Sequence, residues 1–365
     1  MLYTLVSRLS GEEYKVPFEL SEKFINEHQV VSVLSGGTES MFVDLIKTRK
    51  IDLNQPIYLQ VSTEHNSLSA GLEMLSYVRQ RNGEAKIMQH AKDVVFPDIY
   101  DAASLTREPL EHVLRSKEKI RLGVIGESSE WLIASKVDYK EVLKKMNIEL
   151  VDIPVDRVTS LGGPQMGLEG AEAIYGRLKE IVAEYKLQGL TLRCIDLLKS
   201  LQNTGCVALS KLNDDGIPAG CESDIPVLLT LLVCKRLTGE PAFMFNASSI
   251  KNDGQITGTH CTVPLKMTER HDYTTEYEDG TGVAIHGDIP AGDYTLVKLS
   301  HDLKRLLAVN VTIEESQYDA CKTRTQVKIK TTPIVASYFL SNPIANHHVI
   351  IRGHHAAKFW RSPEK

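Results

Sequence analysis

Short apolar runs alternate with amphipathic stretches along the first two-thirds of the chain. The runs are too short for buried helices and are typical of strands in a parallel sheet. Between them, hydrophobic residues recur every three or four positions, which predicts helices that cover the sheet faces. Such units in series indicate parallel sheets with helices on both sides. The predicted strands are 30–34, 57–61, 86–88, 121–125, 149–153, 192–195 and 206–209.

The helical period fades after about residue 239, where short alternating segments separated by Gly, Asp, Asn and Pro take over. This pattern predicts a mostly antiparallel barrel or sandwich. We therefore divide the chain into an N-terminal α/β domain at 1–118, a second α/β domain at 119–238 that carries Glu222, and a β-rich domain at 239–365. The segment 98–119 is interpreted as the hinge between the first two. The predicted late strands are 294–299, 307–313, 325–329 and 349–351.

Composition limits the class of protein. The chain has 365 residues, of which 42% are hydrophobic and 24% charged, as in soluble globular proteins. Its net charge is −5 and no basic stripe is visible, so nothing favours nucleic acid. No stretch is long enough for a membrane helix, and the first residues lack a signal-peptide pattern. Six cysteines without a CxxC pair are expected as free thiols. We expect a cytoplasmic protein that binds neither nucleic acid nor membrane.

Four polar stretches follow predicted strands or precede helices. The carboxyl ends of parallel strands share one edge of a sheet, where open α/β folds bind ligands. The stretch 35–39 is a glycine turn into a helix, but it is neither GxGxxG nor a Walker loop. Tight turns and helix caps explain the first three stretches about as well as function does. The four stretches are 35–39, 63–67, 126–129 and 213–226.

The fourth stretch precedes the most apolar helix of the chain. Ser223 is the expected N-cap, with Asp224 in the first turn, so Glu222 stands just before the helix. A carboxylate at this position either serves a site or only complements the helix dipole.

Histidines in the β-rich region could complete a metal site. His260 and the pair His347-His348 each adjoin a predicted strand. A lone histidine is often a satisfied core residue, but imidazoles together with Glu222 form a set that binds a divalent cation. This mixture suits Mn²⁺, although His260-Cys261 leaves zinc open.

Taken together, these stretches resemble the L-fucose isomerase / L-arabinose isomerase superfamily, in particular its short fucose-isomerase-like members. The similarity runs through nearly the whole chain in family order. The matching segments are LSGGTE (34–39), EHNSLSAGLE (64–73), RLGVIGESSEWLIAS (121–135), NTGCVALSKLNDDGIPAGCESDIPVLLTLL (203–232), HCT (260–262) and ANHHVIIRG (345–353).

The resemblance implies two Rossmann-like domains followed by a C-terminal β-barrel. It also implies a homo-oligomer, a trimer or hexamer, with active sites between subunits. The implied activity is an aldose–ketose isomerase, an intramolecular oxidoreductase that acts on a small sugar through an enediol. In the family Mn²⁺ is held by an acid matching Glu222, a second acid about two dozen positions later, and a histidine matching His347 or His348.

The second acid is Asn246 here, which brings no charge and cannot act as a base. The leading hypothesis makes Glu222 both a metal ligand and the catalytic base. Three outcomes stay open: Glu222 stays active with a weaker metal, another carboxylate such as Asp224 or Asp215 stands in, with Asp224 as the second catalytic candidate, or the chemistry is altered or lost. The last outcome includes a lyase or epimerase and a sugar-binding protein without turnover. His260 resembles a second metal-site histidine of the arabinose isomerases and could compensate.

The resemblance also assigns residues to the substrate. Glu39, His65 and Asn66 are expected to face the site of a neighbouring subunit. Arg324 is a candidate for binding a phosphate or carboxylate on the sugar. The alternative for Arg324 is an outward-facing strand arginine, which is common on protein surfaces.

Overall fold

The computed structural model describes residues 1–7, 14–90, 102–275, 280–314 and 324–361. The described residues form two parallel sheets covered by helices and a closed antiparallel barrel. The predicted fold class is therefore confirmed. The first part of the predicted hinge, 98–101, and Cys321 lie outside the described residues.

The first sheet has four parallel strands in the order β1-β2-β3-β4 and uses the apolar runs near the N-terminus. Its elements are β1 (Leu2–Leu5), α1 (Glu22–Glu27), β2 (Gln29–Val33), α2 (Glu39–Lys47), β3 (Ile57–Gln60), α3 (Ser67–Arg79) and β4 (Ala85–Met88). Nearly every residue of α3 is buried, because this helix packs against both its own sheet and the barrel. The first domain is thereby fixed to the C-terminal region.

The second sheet is also parallel, with the strand order β7-β6-β8-β9. The elements from the hinge to the end of this region are β5 (Thr106–Arg107), α4 (Glu111–Leu114), β6 (Ile120–Ile125), α5 (Tyr139–Met146), β7 (Ile148–Ile153), α6 (Asp156–Thr159), α7 (Gly167–Tyr185), β8 (Gly189–Leu192), α8 (Asp196–Leu201), α9 (Cys206–Asp214), β9 (Ala219–Cys221) and α10 (Ile225–Thr238). Helix α10 has all residues from Ile225 to Cys234 buried. It packs between this sheet and the barrel.

Three local predictions in this region are wrong. The predicted strand 192–195 shares only Leu192 with β8, because the apolar residues continue past the end of that strand. The run 206–209 begins helix α9 rather than forming a strand, because a short apolar run has no period that separates a buried helix from a strand. Ser223 is not the N-cap of α10. Asp224 takes that position, and its side chain accepts a hydrogen bond from the Val227 amide at 2.8 Å.

Six strands close the C-terminal barrel in the order β14-β17-β10-β11-β16-β15, with β14 paired to β15. The elements are β10 (Ala242–Ile250), β11 (Gln255–His260), β12 (Arg270–Thr275), β13 (Val283–Asp288), β14 (Gly292–Leu299), β15 (Leu306–Glu314), β16 (Thr325–Lys330), α11 (Pro333–Ser341), β17 (His348–Arg352) and α12 (Ala356–Trp360). Strands β12 and β13 form a separate hairpin. Strand β5, from the predicted hinge, pairs with β15 at the barrel edge.

Membrane insertion by a helix finds no support in the described part of the chain, where none of the helices combines the length and apolarity needed to cross a bilayer.

Candidate active site

The two parallel sheets and the barrel meet around one cavity of about 220 Å³. Its walls include the turn after β2, the turn after β9, and the ends of β10 and β11. Both α/β sheets thus present the carboxyl ends of their strands to it, which is the expected place for a ligand. The volume lies below the range of drug-sized pockets and suits a small metabolite.

The turn after β9 holds Glu222 in a strained backbone conformation. Glu222 and Ser223 have φ angles of 61° and 51°, which non-glycine residues adopt at a cost. Three hydroxyl groups hold the turn against the end of β6 and the residues that follow it. Ser129 Oγ donates to the Glu222 carbonyl at 2.8 Å, Ser128 Oγ donates to the Ser223 carbonyl at 3.1 Å, and Ser223 Oγ donates to the Ile125 carbonyl at 2.9 Å. These hydrogen bonds fix the turn, and the turn fixes the position of the Glu222 carboxyl group.

The two oxygens of Glu222 have different surroundings. Trp131 Nε1 donates to Oε2 at 2.5 Å, which orients the carboxylate. Oε1 faces two imidazoles, with His347 Nε2 at 3.4 Å and His260 Nε2 at 3.8 Å. One ligand atom from each of these three residues lies within 4.8 Å of the others. We call Glu222, His260 and His347 the metal wall. Glu222 and His260 line the cavity, and His347 is buried beside Glu222.

Asp224 orients His347 from behind. The ring Nδ1 donates to Asp224 Oδ2 at 2.9 Å, and both side chains are buried. This is the carboxylate–histidine pairing that supports metal-ligating histidines, and it leaves Nε2 directed at Glu222. His347 Nε2 lies within ion-pair distance of Glu222 but makes no hydrogen bond.

His260 is supported at its other nitrogen. Its Nδ1 lies 3.1 Å from Thr262 Oγ1 and 3.7 Å from Cys261 Sγ, which leaves Nε2 for the cavity. Cys261 Sγ is in turn 3.2 Å from Cys206 Sγ. The five described cysteines are free thiols, as expected.

The charges of the metal wall are strongly coupled. Burial alone would raise the pKa of Glu222, but attraction to His347 and the closeness of both imidazoles lower it well below its usual range. Burial alone would lower the pKa of His347, but Glu222 and Asp224 outweigh it and raise this pKa to about 10. A proton on His347 therefore offsets one of the two negative charges that Glu222 and Asp224 bring to the protein without metal.

The donor set fits a divalent cation. Two imidazole nitrogens and one carboxylate oxygen converge, Asp224 supports one of the ligands, and the unpaired His347 Nε2 lacks the partner that a buried ring nitrogen needs. Mn²⁺ and Zn²⁺ both accept nitrogen and carboxylate ligands of this kind. The residues thus support a metal centre without selecting the ion.

Not all predicted ligands join this group. His348 Nε2 pairs with the Tyr338 hydroxyl at 2.9 Å, and its Nδ1 pairs with the Asn346 carbonyl at 2.8 Å, so both ring nitrogens are occupied in the core. Burial and the nearby Lys298 lower the pKa of His348 to about 3. Asn246 lines the cavity, but its Oδ1 accepts a hydrogen bond from Asn346 Nδ2 at 2.7 Å.

The predicted substrate residues line the same cavity as Glu222 of their own chain. These residues are Glu39, His65 and Asn66, which we call the first-domain wall. Their expected place at the site of a neighbouring subunit stays a prediction. Arg324 also lines the cavity, and its Nη1 donates to Asn66 Oδ1 at 2.9 Å.

Sequence reasoning missed several supporting residues. Trp131 lies within one of the resembling segments. Its place next to the polar stretch 126–129, which follows a predicted strand, was the signal that could have found it. Glu73 is the last residue of the resembling segment 64–73 but was not singled out there. Lys298 is a buried charge on a strand with no polar motif, so nothing local marks it. Glu73 accepts from the amides of Ala134 and Asn346, which joins α3 to the segment before β17.

Comparison with known proteins gives one distant similarity. The chain matches no family model. Among curated proteins it is similar to a sulfoquinovose isomerase of Alkalicoccus urumqiensis, at 22% identity over 220 residues. The match covers 52% of this chain and 49% of that protein, so it spans about half of the relative's length. The relative is named as a sugar isomerase, whereas membership of the L-fucose / L-arabinose isomerase superfamily stays a prediction.

Proposed function

We propose that this protein is a metal-dependent aldose–ketose isomerase that acts on a small sugar. The observation that carries the proposal is the convergence of Glu222, His260 and His347, two of which, Glu222 and His260, line a cavity of metabolite size. The similarity to a sugar isomerase supports the reaction class independently.

Each residue of the metal wall has a distinct task in this proposal. Glu222 is ionised at neutral pH and offers Oε1, while Trp131 holds its other oxygen. His260 and His347 offer Nε2, and Asp224 keeps the His347 ring in place. A divalent cation bound there supplies Lewis-acid stabilisation of the negative charge that develops on the sugar oxygens. The first-domain wall binds and orients the remaining hydroxyl groups.

The sugar itself is proposed to carry an anionic group. Arg324 brings a guanidinium to the first-domain side of the cavity, and guanidinium groups bind phosphate, carboxylate and sulfonate oxygens with paired hydrogen bonds. The name of the relative specifies sulfoquinovose, a sugar that carries a sulfonate. Sulfoquinovose and its uncharged counterpart quinovose therefore form a matched pair of test substrates.

The test combines metal loading with a sugar panel. Protein freed of metal is reloaded with Mn²⁺, Zn²⁺ or Mg²⁺ and incubated in D₂O with sulfoquinovose, quinovose, L-fucose and L-arabinose. NMR then follows ketose formation and deuterium uptake at C2. Metal-dependent isomerisation of at least one sugar is expected. Failure of every sugar to react with every metal would contradict the proposal.

One observation favours a second candidate, a sugar-binding protein without turnover. Asn246 stands where the resembling family has an acid, and it is hydrogen-bonded to Asn346 rather than to the metal wall. This candidate predicts that a sugar raises the melting temperature while no deuterium enters C2. The same NMR experiment, paired with thermal melting, separates the two.

A further inference from the structure

Aldose–ketose isomerisation needs a group that accepts a proton from carbon, and the metal wall offers no good candidate. Glu222 is hydrogen-bonded to Trp131 and faces two imidazoles, so its oxygens are occupied. Asp224 is bonded to His347 and the Val227 amide, and it is enclosed. Asn246 has an amide, which is not a base at any relevant pH. The acid–base group must come from elsewhere in the cavity.

Glu39 is a second carboxyl group on the cavity, outside the metal wall. It is the first residue of α2, directly after the glycine turn that ends β2, and only 4% of it is exposed. The backbone amides of Thr38 and Glu39 itself act to lower its pKa. Its Oε2 is enclosed and has no hydrogen-bond partner. An unpaired carboxyl oxygen of this kind is costly unless a ligand or water completes it.

The comparison with Glu73 separates this arrangement from a structural one. Glu73 is equally buried, yet its Oε1 accepts from the Ala134 amide and the Ser135 hydroxyl, and its Oε2 accepts from the Asn346 amide. Both oxygens of Glu73 thus bind fixed protein donors, as a structural carboxyl group does. Glu39 keeps one oxygen without a protein donor, which suits a group that exchanges partners during a reaction.

We propose that Glu39 is the catalytic acid–base residue of this cavity, and that it carries the proton between C1 and C2 of the sugar. This inference rests on the proposed isomerase function. A carboxylate oxygen of Glu39 takes the proton from C2, the electrons of the broken C2–H bond form C1=C2, and the π electrons of C1=O move onto O1. The O2 hydroxyl proton passes to O1. C2=O then forms from O2, and the C1=C2 electrons take the proton that Glu39 returns to C1. The aldose becomes the ketose with no net gain or loss of atoms or electrons.

The electrostatics of Glu39 agree with this role. Burial raises the pKa of Glu39 well above its usual range, and repulsion from Glu73 and Glu222 adds to the effect. A carboxyl group with a raised pKa is a stronger base once ionised and retains an abstracted proton long enough to return it. The pKa of Glu222 is shifted in the opposite direction, so the two carboxyl groups are separated into a ligand and a proton carrier.

The decisive variant is Glu39→Gln, which keeps the shape of the side chain and replaces the carboxyl group by an amide that cannot accept and return a proton. We expect at least a ~100-fold loss both of isomerisation and of deuterium uptake at C2, as is typical for removal of a general acid–base group. The Mn²⁺-induced rise in melting temperature should stay at the wild-type value. Glu39→Asp keeps the acid but shortens its reach, so it should recover part of the exchange rate.

Glu64→Gln serves as the matched control, because it removes one carboxylate from the same domain at an exposed position. Its exchange rate should equal that of wild type. A Glu39→Gln protein that exchanges C2 at the wild-type rate, or that also loses the Mn²⁺ response, would overturn the role assigned to Glu39 alone. A wild-type protein without isomerisation or exchange would instead overturn the proposed function, and this inference with it.

Discussion

The metal wall and the first-domain wall face one cavity but are built differently. Every side chain of the metal wall has a support behind it, from Trp131 for Glu222 to Asp224 for His347. On the first-domain wall, Glu39 Oε2 has no protein partner. The supported side chains of the metal wall suit an ion that stays bound, whereas the unpaired oxygen of Glu39 suits a group that exchanges partners. In the proposed function, metal binding and proton transfer therefore belong to different parts of the chain.

The largest effect is expected from Glu222→Gln. The amide keeps the shape but loses the charge that attracts a cation and the proton on His347. Because a bound metal supplies several kcal/mol of transition-state stabilisation, isomerisation should fall by about 10³-fold or more. Steady-state rates at saturating Mn²⁺ measure this, with Glu64→Gln as control. Activity within tenfold of wild type would remove Glu222 from the metal wall.

Glu73 joins α3 to the segment before β17, and its contribution to the free energy of unfolding should depend on pH. Burial raises the pKa of Glu73 to about 7, from a usual 4.5. Between these values the folded chain holds a proton that the unfolded chain has lost, so the contribution of Glu73 to stability falls as pH rises. The change is at most about 3 kcal/mol in the free energy of unfolding. The stability advantage of wild type over Glu73→Gln should therefore shrink between pH 5 and pH 8.

Urea unfolding of the metal-free proteins at both pH values measures this difference. The variant also loses the carboxylate that accepts from the Asn346 amide, but this loss is the same at every pH. An advantage that stays constant with pH would show that Glu73 titrates alike in the folded and unfolded chains.

Asp224→Asn tests the support behind the metal wall. Asparagine is also a good N-cap, so α10 should remain capped, while the charged partner of His347 is lost. Removing such a support typically weakens metal binding 10- to 100-fold. Asp138→Asn, at the N-cap of α5, is the matched control. Equal Mn²⁺ affinity in both variants and wild type would mean that Asp224 does not hold His347 for a metal.

The smallest effect is expected from His348→Gln, next to His347 in the chain. The substitution removes one hydrogen bond with Tyr338 in the core and should cost about 1 kcal/mol of stability. Mn²⁺ affinity should not change, because both nitrogens of His348 are occupied away from the cavity. A large loss of affinity would place the ligand at His348 instead.

The architecture could be predicted because hydrophobic residues follow the helical period in some segments and the strand period in others, and both patterns are strong in this chain. Alternating apolar runs and helices became the two parallel sheets, and the change near residue 239 became the barrel. The run 206–209 was misread because four apolar residues fit a strand or a buried helix equally well. The closure of the barrel depends on the pairing of β14 with β15, which no single strand encodes.

The candidate site was predictable only in part, because its geometry depends on long-range register. His347 and His348 are adjacent, and only the start of β17 determines which ring contacts Glu222 and which pairs with Tyr338. Asp224 was expected to act in catalysis, whereas the structure pairs it with His347. Glu39 was noticed as part of a strand-end turn, but its unpaired oxygen depends on the tertiary packing around it.

The central claim is that Glu222, His260 and His347 bind one divalent cation. Calorimetric titration of metal-freed protein with Mn²⁺ tests it directly, with Glu222→Gln, His260→Gln and His347→Gln beside wild type. The account predicts one Mn²⁺ per chain in wild type, release of a proton from His347 on binding, and much weaker binding in all three variants. No binding by wild type, or binding that all three substitutions leave unchanged, would contradict it.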